Sequence, residues 1–133
     1  MTSSPMTVVV IEDHADSLEM ICEVLELRGL VAHGFSSGHA AWAAIAQCAP
    51  DVVMTDLRMG TMSGIELARL VRNDPALDRV ALVALSGDVP ALQRHQSDGL
   101  FDMLLAKPID LVELPQRLEE LRGRRAARVA EAR

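Results

Sequence analysis

Four short pieces of this sequence carry side chains suited to holding a cation and moving a charged group: Glu12-Asp13, Asp56, Ser86 and Lys107. Each closes a short apolar run, at 8–11, 52–54, 80–85 and 103–106. Three clustered carboxylates repel one another unless a cation bridges them. All-oxygen donors with room for water suit a hard divalent ion, Mg²⁺ before Zn²⁺. A metal, an ammonium and a hydroxyl together would neutralise the three equatorial oxygens of a transferring phosphoryl group. Asp56 is then the nucleophile, because a carboxylate can form an acyl phosphate. Lys107 stands apart for another reason: it is the single lysine among 13 basic residues.

These residues need strands to bring them to one edge, and the chain supplies the pattern. Continuous runs of Val, Ile, Leu and Met mark strands buried on both faces. Helical spacing falls between them. Leu18, Ile21, Cys22 and Leu25 line a first helix that stops at Gly29. A weaker second strand spans Leu30 to Ala32 and Phe35. Ser36 or Ser37 caps a second helix carrying Trp42 and Ile45 inward. Ile65, Leu67, Ala68 and Val71 mark a third, closed by Asn73-Asp74-Pro75. Asp88 caps a polar fourth helix with Pro90 in its first turn. Asp110 and Glu113 introduce the last helix, through Leu114, Leu118 and Leu121, and Pro115 should kink its first turn or delay its start. Five βα units with short connections predict an α/β fold with a five-stranded parallel sheet covered on both faces. In such sheets ligands bind beyond the carboxyl ends of the strands.

Size and composition set the outer limits. The 133 residues suit one domain: a disordered start over 1–6, a folded body over 7–121, and an Arg-rich helix extension or tail over 122–133. Aromatics are scarce (Phe35, Trp42 and Phe101), so Val, Leu, Ile, Met and Ala must build the core. A net charge of −6 argues against a nucleic-acid-binding body. Cys22 and Cys48 are too few for a disulfide framework or a cysteine zinc site. No secretory signal opens the chain, and no run sustains the ~20 apolar residues of a membrane helix. The expectation is a cytoplasmic protein that does not meet a membrane.

Glu12-Asp13, the run Asp56-Leu57-Arg58-Met59-Gly60-Thr61-Met62-Ser63-Gly64, then Ser86-Gly87 and Lys107-Pro108, resemble the signature of response-regulator receiver domains of bacterial two-component signalling. The resemblance runs from about residue 8 to 121. It implies a doubly wound, flavodoxin-like (βα)5 fold with strand order 2-1-3-4-5. It implies that Asp56 takes a phosphoryl group from a histidine kinase or phosphotransfer protein. Asp13, Asp56 and the Arg58 carbonyl would then ligate Mg²⁺, with Glu12 acting through water, while Ser86 and Lys107 hold phosphate oxygens. The implied output is a change on the fourth helix, fifth strand and fifth helix, read by a protein target or a second copy. Catalysis beyond the domain's own phosphorylation and dephosphorylation is not expected.

Four departures bear on that surface and its loops. Gly60 stands where a proline is usual, and Leu104 where many receivers carry a switch aromatic or histidine. Leu100 takes a position usually held by glycine, with Gly99 one step earlier. The interval from Ser86 to Lys107 is slightly short. Arg58 and Asp88, each two residues past a site residue, are expected either to pair across the path of an attacking water or to stay two solvated loop side chains that never meet.

Two other readings compete. A phosphatase or phosphotransferase with an aspartyl nucleophile needs a second acid shortly after Asp56, where Arg58 stands. A degenerate receiver serving as a binding scaffold fits Leu104, but not the retention of all five site positions. His14 reads as an exposed helix start, and His33, His39 and His95 lack ligand spacing.

Overall fold

The computed structural model describes residues 5–58 and 62–132. Strands and helices alternate: β1 (Thr7–Ile11), α1 (Ala15–Leu27), β2 (Val31–Phe35), α2 (Gly38–Cys48), β3 (Val52–Asp56), α3 (Gly64–Arg72), a 3-10 turn (Pro75–Leu77), β4 (Ala81–Ser86), α4 (Val89–Gln93), β5 (Met103–Ala106) and α5 (Leu114–Ala132). The sheet is parallel throughout in the order β2-β1-β3-β4-β5, as expected.

The apolar runs explain the layers. Side chains alternate between faces along a strand. Val8, Val10, Val52, Met54, Val83 and Leu85 pack toward Ile21 and Leu25 of α1 and Leu114, Leu118 and Leu121 of α5. Val9, Ile11, Val53 and Leu82 pack toward Ala41 and Ile45 of α2 and Leu67, Ala68 and Val71 of α3. A smaller cluster joins Leu57 and Ala84 to Ala91 and Leu92 of α4, with Leu104 and Phe101 against it. Burial of each Val, Leu, Ile or Met side chain among these contributes roughly 1.5–3 kcal/mol before chain entropy is counted.

Local signals fix the helix starts. Ser37 accepts from the Ala40 N–H, and Asp88 accepts from the Ala91 N–H. Ser63 and Glu66 form a reciprocal capping box at α3. The fourth helix is short as well as polar, and the short interval to Lys107 is absorbed there: the Lys107 N–H still reaches the Ser86 carbonyl at 2.9 Å. Gly99 takes φ +72, the left-handed conformation that glycine adopts without penalty, and frees Leu100 to pack against the second core cluster. Asp110 accepts from the N–H groups of Val112 and Glu113, and α5 begins only at Leu114 with Pro115 in its first turn. Pro115 therefore delays the helix rather than kinking it.

Two boundaries differ from the sequence reading. Met6 is not part of a disordered start: it is buried in the first cluster, and its carbonyl accepts from the Val31 N–H at 2.9 Å. The Arg-rich end is the helix extension of the two alternatives, but it is not simply solvated. Val129 is buried, and Arg125 is mostly covered. Gly60 lies outside the described residues. No described helix is long and apolar enough to cross a membrane.

Candidate functional site

Parallel register carries the sequence candidates to one edge. Ile11 pairs with Thr55, Asp56 with Leu85, and Ser86 with Ala106, so β1, β3, β4 and β5 end together. The residues leaving those ends are Glu12-Asp13, Asp56, Ser86 and Lys107.

Lys107 organises the group. Its Nζ donates to Asp56 Oδ2 and to Glu12 Oε2, each at 2.7 Å. Glu12 is almost fully buried, and Asp56 is 9% exposed. Burial, the largest single influence on Lys107, disfavours its charge, but the hydrogen bonds and charges of Asp56 and Glu12 together outweigh it. The ammonium is held above its ordinary range. Asp13 is exposed, and carboxylate oxygens of Glu12, Asp13 and Asp56 lie within 4.8 Å of one another. Three carboxylates against one ammonium leave two formal negative charges. An all-oxygen set with that charge fits a hard divalent cation.

The backbone around Asp56 is equally constrained. The Arg58 N–H donates to Asp56 Oδ1 at 3.2 Å, and Thr55 Oγ1 donates to the Asp56 carbonyl at 3.0 Å. A Cβ on Gly64 would lie 2.2 Å from that same carbonyl oxygen, so only glycine lets α3 start so close to β3. The motif resemblance alone assigns Gly64 no role. A glycine eight residues past the acid and immediately after a cap serine was the available signal. Ser86 is buried, and its Oγ accepts from the Asp88 N–H at 3.0 Å. Arg58 Nη2 donates to Asp88 Oδ2 at 3.0 Å, so the two loop residues do meet.

Other features sit beside the group. His14 caps α1, accepting from the Ser17 N–H, and is exposed. Leu104 is half-buried against the cluster beneath α4. A groove of about 460 Å³ opens between α1 and the segment after β5, lined by Met20, Ile21, Ile109 and Leu111 and ending on Glu12 and Lys107. Sequence reasoning missed it. The signal was Met20, an apolar residue 55% exposed on a helix face otherwise marked by Glu19 and Glu23.

Residues 8–119 match the family model described as response regulator receiver domain. The chain belongs to this family. A receiver domain (CheY-like) from Methylobacillus flagellatus is 31% identical, with a TM-score of 0.79 over 89% of this chain and 99% of that one. The fold is shared with a sensor protein from Polaromonas sp. JS666, TM-score 0.83, 22% identical over 92% of this chain and 99% of that one. The C4-dicarboxylate transport transcriptional regulatory protein DctD of Rhizobium meliloti (strain 1021) is 33% identical over 99% of this receiver and 30% of its own length. The virulence sensor protein BvgS of Bordetella pertussis is 34% identical over 91% of this receiver but 10% of its own length. This receiver thus spans under a third of either relative.

Proposed function

We propose that this receiver is a phosphoacceptor module of a cytoplasmic two-component phosphorelay, with Asp56 as the residue phosphorylated. The observation that carries the reading is the Lys107 ammonium bound at once to Asp56 and Glu12, with Asp13 completing an oxygen cluster. Asp13, Asp56 and the Arg58 carbonyl would hold Mg²⁺, with Glu12 acting through water. Bound there, the ion would offset charge on the phosphoryl oxygens.

In the transfer, an Asp56 carboxylate oxygen attacks phosphorus of a donor phosphohistidine. The P–O bond forms as the P–N bond breaks, and the bonding pair leaves with the imidazole. Lys107 keeps its charge throughout and turns from a carboxylate partner into a phosphate partner. Ser86 supplies a hydroxyl donor from the neighbouring strand. The groove beside Lys107 offers a kinase or phosphotransfer protein apolar surface next to the reacting carboxylate. Arg58 occupies the place where a phosphatase of this chemistry needs a second acid, which supports a module acting only on its own phosphoryl group.

The output surface in this reading is α4, β5 and α5, presented to a protein target or a second copy. Leu104 fills less space than an aromatic, and α4 is anchored by only Ala91 and Leu92, so displacement should centre there. Intact-mass analysis with acetyl phosphate, with and without Mg²⁺, tests the proposal. One Mg²⁺-dependent phosphoryl addition is expected, lost in Asp56→Asn. Equal addition to both proteins would sink it.

A further inference from the structure

At the opposite edge of the sheet, one carboxylate gathers three arginines. Asp102 immediately precedes β5, and its side chain is 5% exposed. Its Oδ2 accepts from Arg72 Nη2 at 2.6 Å and from the Leu82 N–H at 2.8 Å, while its own N–H donates to the Leu82 carbonyl at 2.8 Å. Its Oδ1 faces Arg125 Nη1 at 3.5 Å and Arg128 Nη1 at 3.8 Å. Arg72 Nη1 also donates to the Val80 carbonyl, and Arg125 Nε to the Asp78 carbonyl. None of these groups belongs to the phosphorylation site.

We propose that Asp102 is a latch for the last part of α5, and that residues 122–132 dock on and release from the base of the sheet as a unit. Apart from Asp102 and the bond from Arg125 Nε to the Asp78 carbonyl at 2.8 Å, few contacts hold the segment. Beyond Leu121, Val129 is its one buried apolar residue among the described positions. Gly123, where a Cβ would meet nothing within 4 Å, sits between the last core leucine and the first latch arginine. Glycine inside a helix lowers its intrinsic stability and supplies a hinge. A helix of this length is marginal alone, so its order must come from tertiary contact. Arg122 faces Asp51 at 3.8 Å with both side chains 36% exposed, and Arg128 is 69% exposed, so solvent and salt screen both. Arg125, 14% exposed, is the residue that decides, with Nη1 facing Asp102 and Nε on the Asp78 carbonyl.

The anchor itself is fixed. Burial pulls the Arg72 pKa down, and Asp102 is the largest opposing influence, so this carboxylate is required by the body whether or not the helix is docked. Its distal oxygen is what the helix uses. Docked, the segment spends its charge on the acidic base. Released, it presents a basic segment carrying Arg122, Arg124, Arg125 and Arg128.

Hydrogen exchange of the full chain, without metal or phosphodonor, tests the latch independently of any role for Asp56. Arg125→Met keeps the apolar stem and removes the charge. It should speed exchange of amides 124–132 about tenfold or more, with β1 and β3 unchanged. Asp102→Asn should release the same amides, and the double variant should add little beyond the larger single effect. Gly123→Ala should slow exchange in the segment. Should Asp102→Asn unfold the chain by stranding Arg72, Arg125→Lys decides: it keeps a charge for Asp102 but loses the bond to the Asp78 carbonyl, so near-normal protection supports the latch and protection as poor as in Arg125→Met overturns it. Unchanged protection over 124–132 in Arg125→Met, or a rise shared evenly with β1 and β3, overturns the latch.

Discussion

Arg58 and Asp88 lie thirty residues apart in sequence and meet at 3.0 Å, joining the loop after β3 to the loop after β4. Asp88 does more than pair. Its other oxygen caps α4, and its N–H donates to Ser86 Oγ. The pair is 75% and 34% exposed, so its worth is only ~0–1 kcal/mol.

If the pair screens water from a phosphorylated Asp56, the effect is kinetic. Arg58→Ala should speed loss of the phosphoryl group up to about fivefold, the rate equivalent of such a pair. Asp88→Asn should do likewise while keeping the cap, and combining the two should add little. Decay followed by intact mass measures it, and Mg²⁺ affinity should not change. Additive effects, or none, would remove the gate.

Asp13 is the exposed member of the oxygen cluster, so its charge can be removed with little disturbance of packing. Asp13→Asn should leave thermal unfolding nearly unchanged and weaken Mg²⁺ binding about tenfold or more, read by calorimetric titration. Tight binding retained in that variant would move the cation elsewhere.

Gly64→Ala forces a methyl to within 2.2 Å of the Asp56 carbonyl, so β3 and α3 must separate. Overpacking of this kind costs about 1–3 kcal/mol, and urea unfolding should show it. Phosphorylation should slow as well, because the displaced backbone carries Asp56, the proposed acceptor. Unchanged stability and rate would show that the junction yields freely.

The raised pKa of Lys107 ties stability to alkaline pH. A group whose folded pKa exceeds its unfolded value, about 10.4, contributes fully below that value and loses its contribution as pH climbs through the folded pKa. The chain has no tyrosine and no second lysine to blur the measurement. Cys22 does interfere: burial, then Glu26, holds its thiol above 9.0, so its own loss begins earlier. In a Cys22→Ala background, unfolding free energy should fall from about pH 10 upward, and Lys107→Met should abolish that fall. A persistent decline in the double variant would assign it to other groups.

The strands and the site were legible in the sequence because both depend on local or strictly ordered information. Val8 to Ile11 and Val52 to Met54 announce burial on two faces, and parallel pairing then carries whatever follows them to one edge. Asp102 was not legible. Its partners Arg72 and Leu82 stand 30 and 20 residues away, and α5 returns to it from beyond the sheet. Met6 escaped for the same reason: the β2 amide that fixes it is 25 residues on. The departure at Leu100 is accounted for by the left-handed turn at Gly99, which residue types alone do not show.

The lone lysine has a practical side. Lys107 carries the only side-chain primary amine in the chain, and its Nζ is bound to both carboxylates while the side chain remains 31% exposed. Amine-directed acylation would therefore modify one side chain, at one place, at a rate set by how tightly Asp56 and Glu12 hold it. Any ligand or covalent change that engaged those carboxylates would be read out as a change in that single labelling rate, with twelve arginines silent in the background.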